Sequence, residues 1–124
     1  MPDAKQKPRK VVKVVKSGRP EIYPDVQIHD STLEKLSEFH PEEFSRIDDV
    51  YKTIESPDSV YRSRTKPENH VTLLNQQCTT DGGDPLRVVV KLVTDGSALM
   101  ASAYFTGTTN QGEKLWPTNG DKTD

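Results

Sequence analysis

The sequence contains little cysteine and no long apolar segment. Cys78 is the only cysteine among 124 residues, which excludes an intrachain disulfide and favours a reducing, cytoplasmic setting. No apolar run approaches the length of a membrane span, and no hydrophobic core follows the N-terminal charges as it would in a secretion signal. The three histidines and Cys78 lack the spacing of a zinc site. We therefore expect no membrane association, no metal and no cofactor.

The charges are divided unevenly along the chain. The first 19 residues hold seven Lys or Arg and one Asp, a balance of +6, whereas the remainder holds 10 basic and 18 acidic residues, a balance of −8. A basic arm of this kind attracts nucleic-acid phosphates, docks on an acidic protein partner, or is simply a solvated tail. The acidic body argues against extended binding of a duplex, but it permits a small basic pocket for one phosphate.

Two helices are predicted in the first half. Ser31 and Glu34 have the S-x-x-E spacing of a capping box, and Leu33, Leu36 and Phe39 follow at helical spacing. This helix is expected to end near residue 40, because proline disfavours the helical conformation at the residue before it. Residue 41 is that proline, and it suits the first turn of a second helix, whose apolar stripe runs to residue 54.

Four strands are predicted in the second half, at residues 59–63, 69–76, 86–93 and 99–106, separated by turns rich in Gly, Asp and Pro. Sequential hairpins give an antiparallel β-meander. Helices segregated from strands are typical of the α+β class. The sequence thus predicts a disordered basic arm at 1–26, one α+β domain at 27–107 and a polar tail at 108–124.

Two residues are candidates for chemistry. His40 lies at the corner between the two helices and is a candidate for proton transfer, as histidine side chains generally are, although a histidine there also suits the C-terminal end of a helix dipole. Lys91 interrupts the most apolar strand, where a lysine either extends over a solvated face or meets an anion such as phosphate. Alternation on the last strand places hydroxyl groups on one face, from Ser102, Tyr104 and Thr106.

A further pair of cations lies near the first strand. Arg62 and Arg64 are two residues apart, so both are expected on one face, where they could add positive charge to a phosphate clasp.

The order of these pieces resembles the phage-associated branch of the barnase–EndoU–colicin–RelE (BECR) nuclease superfamily. The motifs are Leu-Ser-Glu-Phe-His-Pro-Glu at 36–42, Pro-Asp-Ser-Val-Tyr-Arg at 57–62, Val-Val-Val-Lys at 88–91 and Ser-Ala-Tyr-Phe-Thr at 102–106. The sequence departs from the family pattern at Lys35, where a second histidine is common, at Phe39, where an arginine is common, and at Ser102, where threonine is usual.

The resemblance implies a toxin-like hydrolase that cleaves RNA, including tRNA as one alternative, without a metal. His40 would then be the acid or base, Lys91 and Arg62 would steady the phosphate, and hydrogen bonds would come from the substrate-binding set Ser102, Tyr104, Thr106 and Arg64. The alternative is a non-catalytic binding or adaptor module of the same fold in a phage or mobile-element context, and a neutralising or docking protein is a further expected partner. This assignment of roles requires the side chains of His40, Arg62 and Lys91 to converge on one concave face.

Overall fold

The structure, a computed structural model, describes residues 10–107 and 112–117. Its elements follow the order β1 (Val11–Val15), β2 (Val26–His29), α1 (Asp30–Phe39), α2 (Pro41–Phe44), α3 (Ile47–Glu55), β3 (Ser59–Arg62), β4 (His70–Thr79), β5 (Pro85–Leu92), β6 (Ala98–Phe105) and β7 (Lys114–Trp116). The strands form one sheet in the order β1-β2-β6-β5-β4-β3-β7. The α+β class is confirmed. None of the helices in these residues has the length and apolar character needed to cross a bilayer.

The prediction of two helices is wrong in detail. The helical conformation ends after Phe44 and begins again at Ile47, so the second predicted helix is in fact two helices, α2 and α3. At the break the Arg46 guanidinium donates to the carbonyl of Thr79 at 2.7 Å, a contact 33 residues along the chain that no helical periodicity could reveal. The predicted capping box is not formed, because α1 begins at Asp30 and Ser31 lies inside the helix rather than at its N-cap.

The four predicted strands are confirmed as β3 to β6, and they pair antiparallel in sequence order. The prediction of a purely antiparallel, four-stranded sheet is wrong, because the described sheet has seven strands and is mixed. Strand β2 adds to β6 in parallel, with Val26 opposite Ala98. Strands β1 and β7 extend the two edges by antiparallel pairing with β2 and β3.

The ordered domain extends beyond residue 27, toward the N terminus. Val15 and Tyr23 are buried, and the Tyr23 hydroxyl donates to the carbonyl of Ile54 at 2.8 Å. Desolvation by burial raises the pKa of Tyr23 to about 12. The stretch 10–26, predicted as arm, is therefore part of the fold, and only residues 1–9 of that arm lie outside the described residues.

The predicted tail likewise contributes to the sheet. Strand β7 pairs with β3, and the guanidinium of Arg19 lies 4.2 Å from the ring centroid of Trp116. This contact ties the strand after the meander to the segment before it.

The helices cover one face of the sheet. Val88 and Val90 on β5 are fully buried with Ile54 of α3, and the Asn75 amide of β4 donates to the Thr53 hydroxyl of α3 at 3.0 Å. Alternation along the strands turns Arg87 and Val89 to the opposite face. Polar and basic side chains collect on that face, which is called the helix-free face below, although α1 borders it beside Lys91 and Ser102.

Candidate functional site

A cavity of about 460 Å³ opens on the helix-free face and is called the basic cavity below. Its lining comes from the β3–β4 connection and from the four neighbouring strands β3 to β6: Arg62, Ser63, Arg64, Thr65, Lys66, His70, Thr72, Arg87, Val89, Ala101 and Tyr104. Four of these side chains are cationic, and the described lining contains no carboxylate. In a chain of net charge −2 this is a local concentration of positive charge suited to an anion.

The β3–β4 connection folds over the sheet because its own backbone closes it. The Ser63 amide donates to the carbonyl of His70 at 2.9 Å, and the Lys66 amide donates to the Ser63 hydroxyl at 3.1 Å. The His70 amide then donates to the carbonyl of Lys66 at 3.1 Å. These bonds hold Arg64 and Lys66 at the rim of the basic cavity.

His70 has the properties of a proton acceptor. Its Nδ1 lies 2.6 Å from the Asn69 side-chain oxygen, and since an amide oxygen only accepts, this pairing leaves the proton on Nδ1 and the lone pair on Nε2. Burial, followed by the positive charges of Lys66 and Lys91, lowers the pKa of His70, against a smaller opposing effect of Glu68. A lowered pKa favours the neutral imidazole, the form that a general base requires.

Replacing Lys66 by methionine is expected to raise the pKa of His70. Of the two lysines that disfavour the imidazolium, Lys66 has the larger effect, and the substitution removes its charge. The measurement is an NMR titration of the His70 ring protons. Glu68→Gln is the matched control and is expected to shift the same pKa downward, since Glu68 favours the charged form. If the pKa of His70 is the same in both variants as in the wild-type protein, these charges do not act on the ring.

His40 lies in a second pocket, of about 240 Å³, called the Phe39 pocket below. It is lined by Thr32, Lys35, Leu36, Phe39, His40, Ala101 and Ser102. The buried Glu43 carboxylate accepts from the Phe105 amide at 2.9 Å, which fastens α2 to β6. Its other oxygen lies 3.9 Å from His40 Nδ1, so the same carboxylate helps to place His40 beside Ser102.

Lys91 lines a third pocket, of about 170 Å³, together with Lys35 and the N-terminal end of α1. His40, Arg62 and Lys91 therefore do not share one cavity. All three cavities nevertheless have Ala101 in their lining. Ala101 occupies a bulge, because Val89 pairs with Ser102 and Val90 with Met100, and its small side chain leaves the three openings adjoining.

The other predicted residues divide between these places. Arg64 and Tyr104 line the basic cavity, and Ser102 lines the Phe39 pocket. Arg62 also lines the basic cavity, but its guanidinium contacts Glu113 at 3.3 Å and the carbonyl of Pro67 at 3.5 Å. Thr106 lines none of the three cavities described above, and its amide donates to the carbonyl of Pro85 at 3.2 Å.

Sequence reasoning missed His70, Arg87 and Lys66. Alternation gave a usable signal for Arg87, which lies four residues before Lys91 and so shares its face. His70 lies opposite Lys91 in the β4–β5 register, and that register depends on the length of the intervening turn, which the sequence did not fix.

The chain was compared with known protein families, with characterised proteins and with solved structures. None of the three comparisons gives a match. A function for this chain therefore has to be argued from its own site.

Proposed function

We propose that the protein is an endoribonuclease that needs no metal and cleaves RNA on the helix-free face of its sheet. One observation carries the proposal: the basic cavity holds His70, whose pKa is lowered, among Arg64, Lys66 and Arg87. A neutral base beside several fixed positive charges suits a phosphodiester whose charge grows in the transition state. The resemblance to BECR nucleases points to the same chemistry.

The reaction is an internal transfer of the phosphoryl group. The base takes the proton of a ribose 2′-hydroxyl, and the 2′-oxygen attacks the adjacent phosphorus. The bond from phosphorus to the 5′-oxygen then breaks as a proton reaches that oxygen. The products are a 2′,3′-cyclic phosphate and a 5′-hydroxyl end.

We assign the base to Nε2 of His70, because Nδ1 is engaged by Asn69. Arg87, Arg64 and Lys66 stabilise the phosphorane, and Tyr104 is placed to hydrogen-bond it from β6. Arg87 is the most enclosed of these cations, with 5% of its surface exposed, so its charge is screened least by solvent.

His40 is assigned the general acid. It would have to reach the 5′-oxygen from the adjoining Phe39 pocket, across Ala101, and Ser102 would hydrogen-bond the same nucleotide. Lys91 acts at a distance, by keeping the pKa of His70 low.

One observation favours the alternative, a phosphate-binding module without catalysis. The basic cavity contains one histidine and, in its described lining, no carboxylate, so a second histidine or a carboxylate for proton transfer would have to come from another pocket. Such a module would bind RNA at the same cations and leave it intact.

The test is incubation of the purified protein with an end-labelled RNA oligonucleotide in EDTA. We expect fragments ending in 2′,3′-cyclic phosphate, and no cleavage of the matched 2′-deoxy oligonucleotide, which lacks the attacking hydroxyl. Binding of both oligonucleotides with cleavage of neither would establish the non-catalytic module instead. Equal cleavage of the two would contradict the 2′-hydroxyl mechanism.

A further inference from the structure

Phe39 is the most exposed large hydrophobic side chain in the described residues, with 67% of its surface accessible. It is the last residue of α1, directly before His40, and it lines a pocket rather than projecting from a flat surface. An aromatic ring left in water at the edge of a pocket is typical of a surface that stacks on a ligand.

The Phe39 pocket has two chemically different sides. Phe39 and the buried Leu36 supply apolar surface, while Ser102 and His40 supply polar groups. A flat ring with a hydrogen-bonding edge fits such a lining, because its face meets the apolar side chains and its edge meets the polar ones. A nucleobase has this form.

The pocket also lies next to the predicted phosphate site. It shares Ala101 with the basic cavity, and Lys35 lines both it and the pocket of Lys91. Ser102 on β6 is aligned through Val89 on β5 with Thr72 on β4, and Thr72 lines the basic cavity. Because neighbouring strands are about 4.8 Å apart, Ser102 and Thr72 are separated by about 10 Å. A nucleotide in the Phe39 pocket thus has positive charge beside it on the side facing the basic cavity.

From this geometry we propose that Phe39 is a stacking platform for the base of the nucleotide next to the cleaved phosphate. This inference rests on the proposed function and adds the substrate class. A base stacked on Phe39 has to be free of its neighbours in a duplex, so the substrate is single-stranded RNA.

The experiment measures the affinity of a single-stranded 2′-O-methyl oligonucleotide, which cannot be cleaved, and of inorganic phosphate. Stacking of one base on an aromatic side chain contributes about 1–3 kcal/mol, so Phe39→Ala is expected to weaken oligonucleotide binding about 5- to 150-fold. Phosphate affinity is expected to stay at the wild-type value, because phosphate alone does not occupy the Phe39 pocket. Phe39→Trp, which keeps an aromatic ring at this position, should bind the oligonucleotide about as tightly as the wild type.

Phe44→Ala is the matched control. Phe44 is also an exposed phenylalanine of this helical region, at 39%, but it does not line the Phe39 pocket, so its loss should leave oligonucleotide affinity unchanged. A duplex of the same sequence should bind more weakly than the single strand to the wild-type protein.

Two results would overturn the stacking role without contradicting the proposed nuclease activity. One is an oligonucleotide affinity of Phe39→Ala equal to that of the wild type, and the other is an equal loss of oligonucleotide affinity in Phe39→Ala and Phe44→Ala. Either would leave Phe39 to another occupant, such as a protein partner. Failure of the wild-type protein to bind any oligonucleotide would reject the proposed function and the stacking role together.

Discussion

His70→Ala is expected to lower kcat for RNA cleavage by at least about 100-fold, since general acid–base groups typically contribute 10²–10⁴ to rate. The variant removes the Nε2 lone pair and leaves the cations of the basic cavity in place. RNA binding should therefore change little, and the loss should appear in kcat rather than in KM. Initial rates in EDTA with an end-labelled oligonucleotide measure both quantities.

The pH dependence separates the two histidines. A base works when unprotonated, so activity should rise with pH through the pKa of His70, which burial and the nearby lysines hold below its usual range. His70→Ala should abolish this rising limb. His40→Ala should instead leave the rising limb in place, because it does not remove the base. A His70→Ala protein that cleaves at the wild-type rate would remove the assigned base from the mechanism.

Strands β3 to β6 could be predicted because their signals are local. Val88, Val89 and Val90 form a β-branched run bounded by turn residues, and Asp95-Gly96 marks the next hairpin. Each hairpin pairs neighbours in the chain, so the order of these four strands followed from their sequence.

The strands outside the meander could not be predicted in the same way. Val26 pairs with Ala98, and Val60 pairs with Trp116, so the partners of β2 and β7 lie far along the chain. Short strands of three or four residues carry almost no periodicity of their own. Their existence depends on the edge that the meander offers them.

The candidate site was predictable only in part, for a related reason. The strand pattern placed Lys91 and Tyr104 on the correct strands. The structure nevertheless puts them in two different cavities, which adjoin at the bulge of Ala101. His40 was recognised by residue type at a corner, whereas His70 owes its properties to Asn69, Lys66 and Lys91, which surround it only after folding.

Gly18 provides the sharpest test of whether the segment before residue 27 belongs to the fold. Its amide donates to the carbonyl of Ile54 at 2.9 Å. A Cβ at this position would lie 2.3 Å from the carbonyl oxygen of Glu55 and 2.9 Å from Cδ of Pro57. The first of these is backbone, which no rotation of a side chain can relieve.

Gly18→Ala is therefore expected to lower the free energy of unfolding by about 2–4 kcal/mol, from overpacking of about 1–3 kcal/mol and one weakened hydrogen bond of about 1 kcal/mol. Urea denaturation measures it. Gly82→Ala is the matched control, because a Cβ there would meet only the Thr80 hydroxyl at 3.9 Å, and it should leave stability within about 0.5 kcal/mol of wild type. Equal stability of the two variants would mean that the segment carrying Gly18 does not dock on the end of α3. A large difference would show that β1 and the turn after it are as much a part of the domain as the meander, even though their charges gave them the character of an arm.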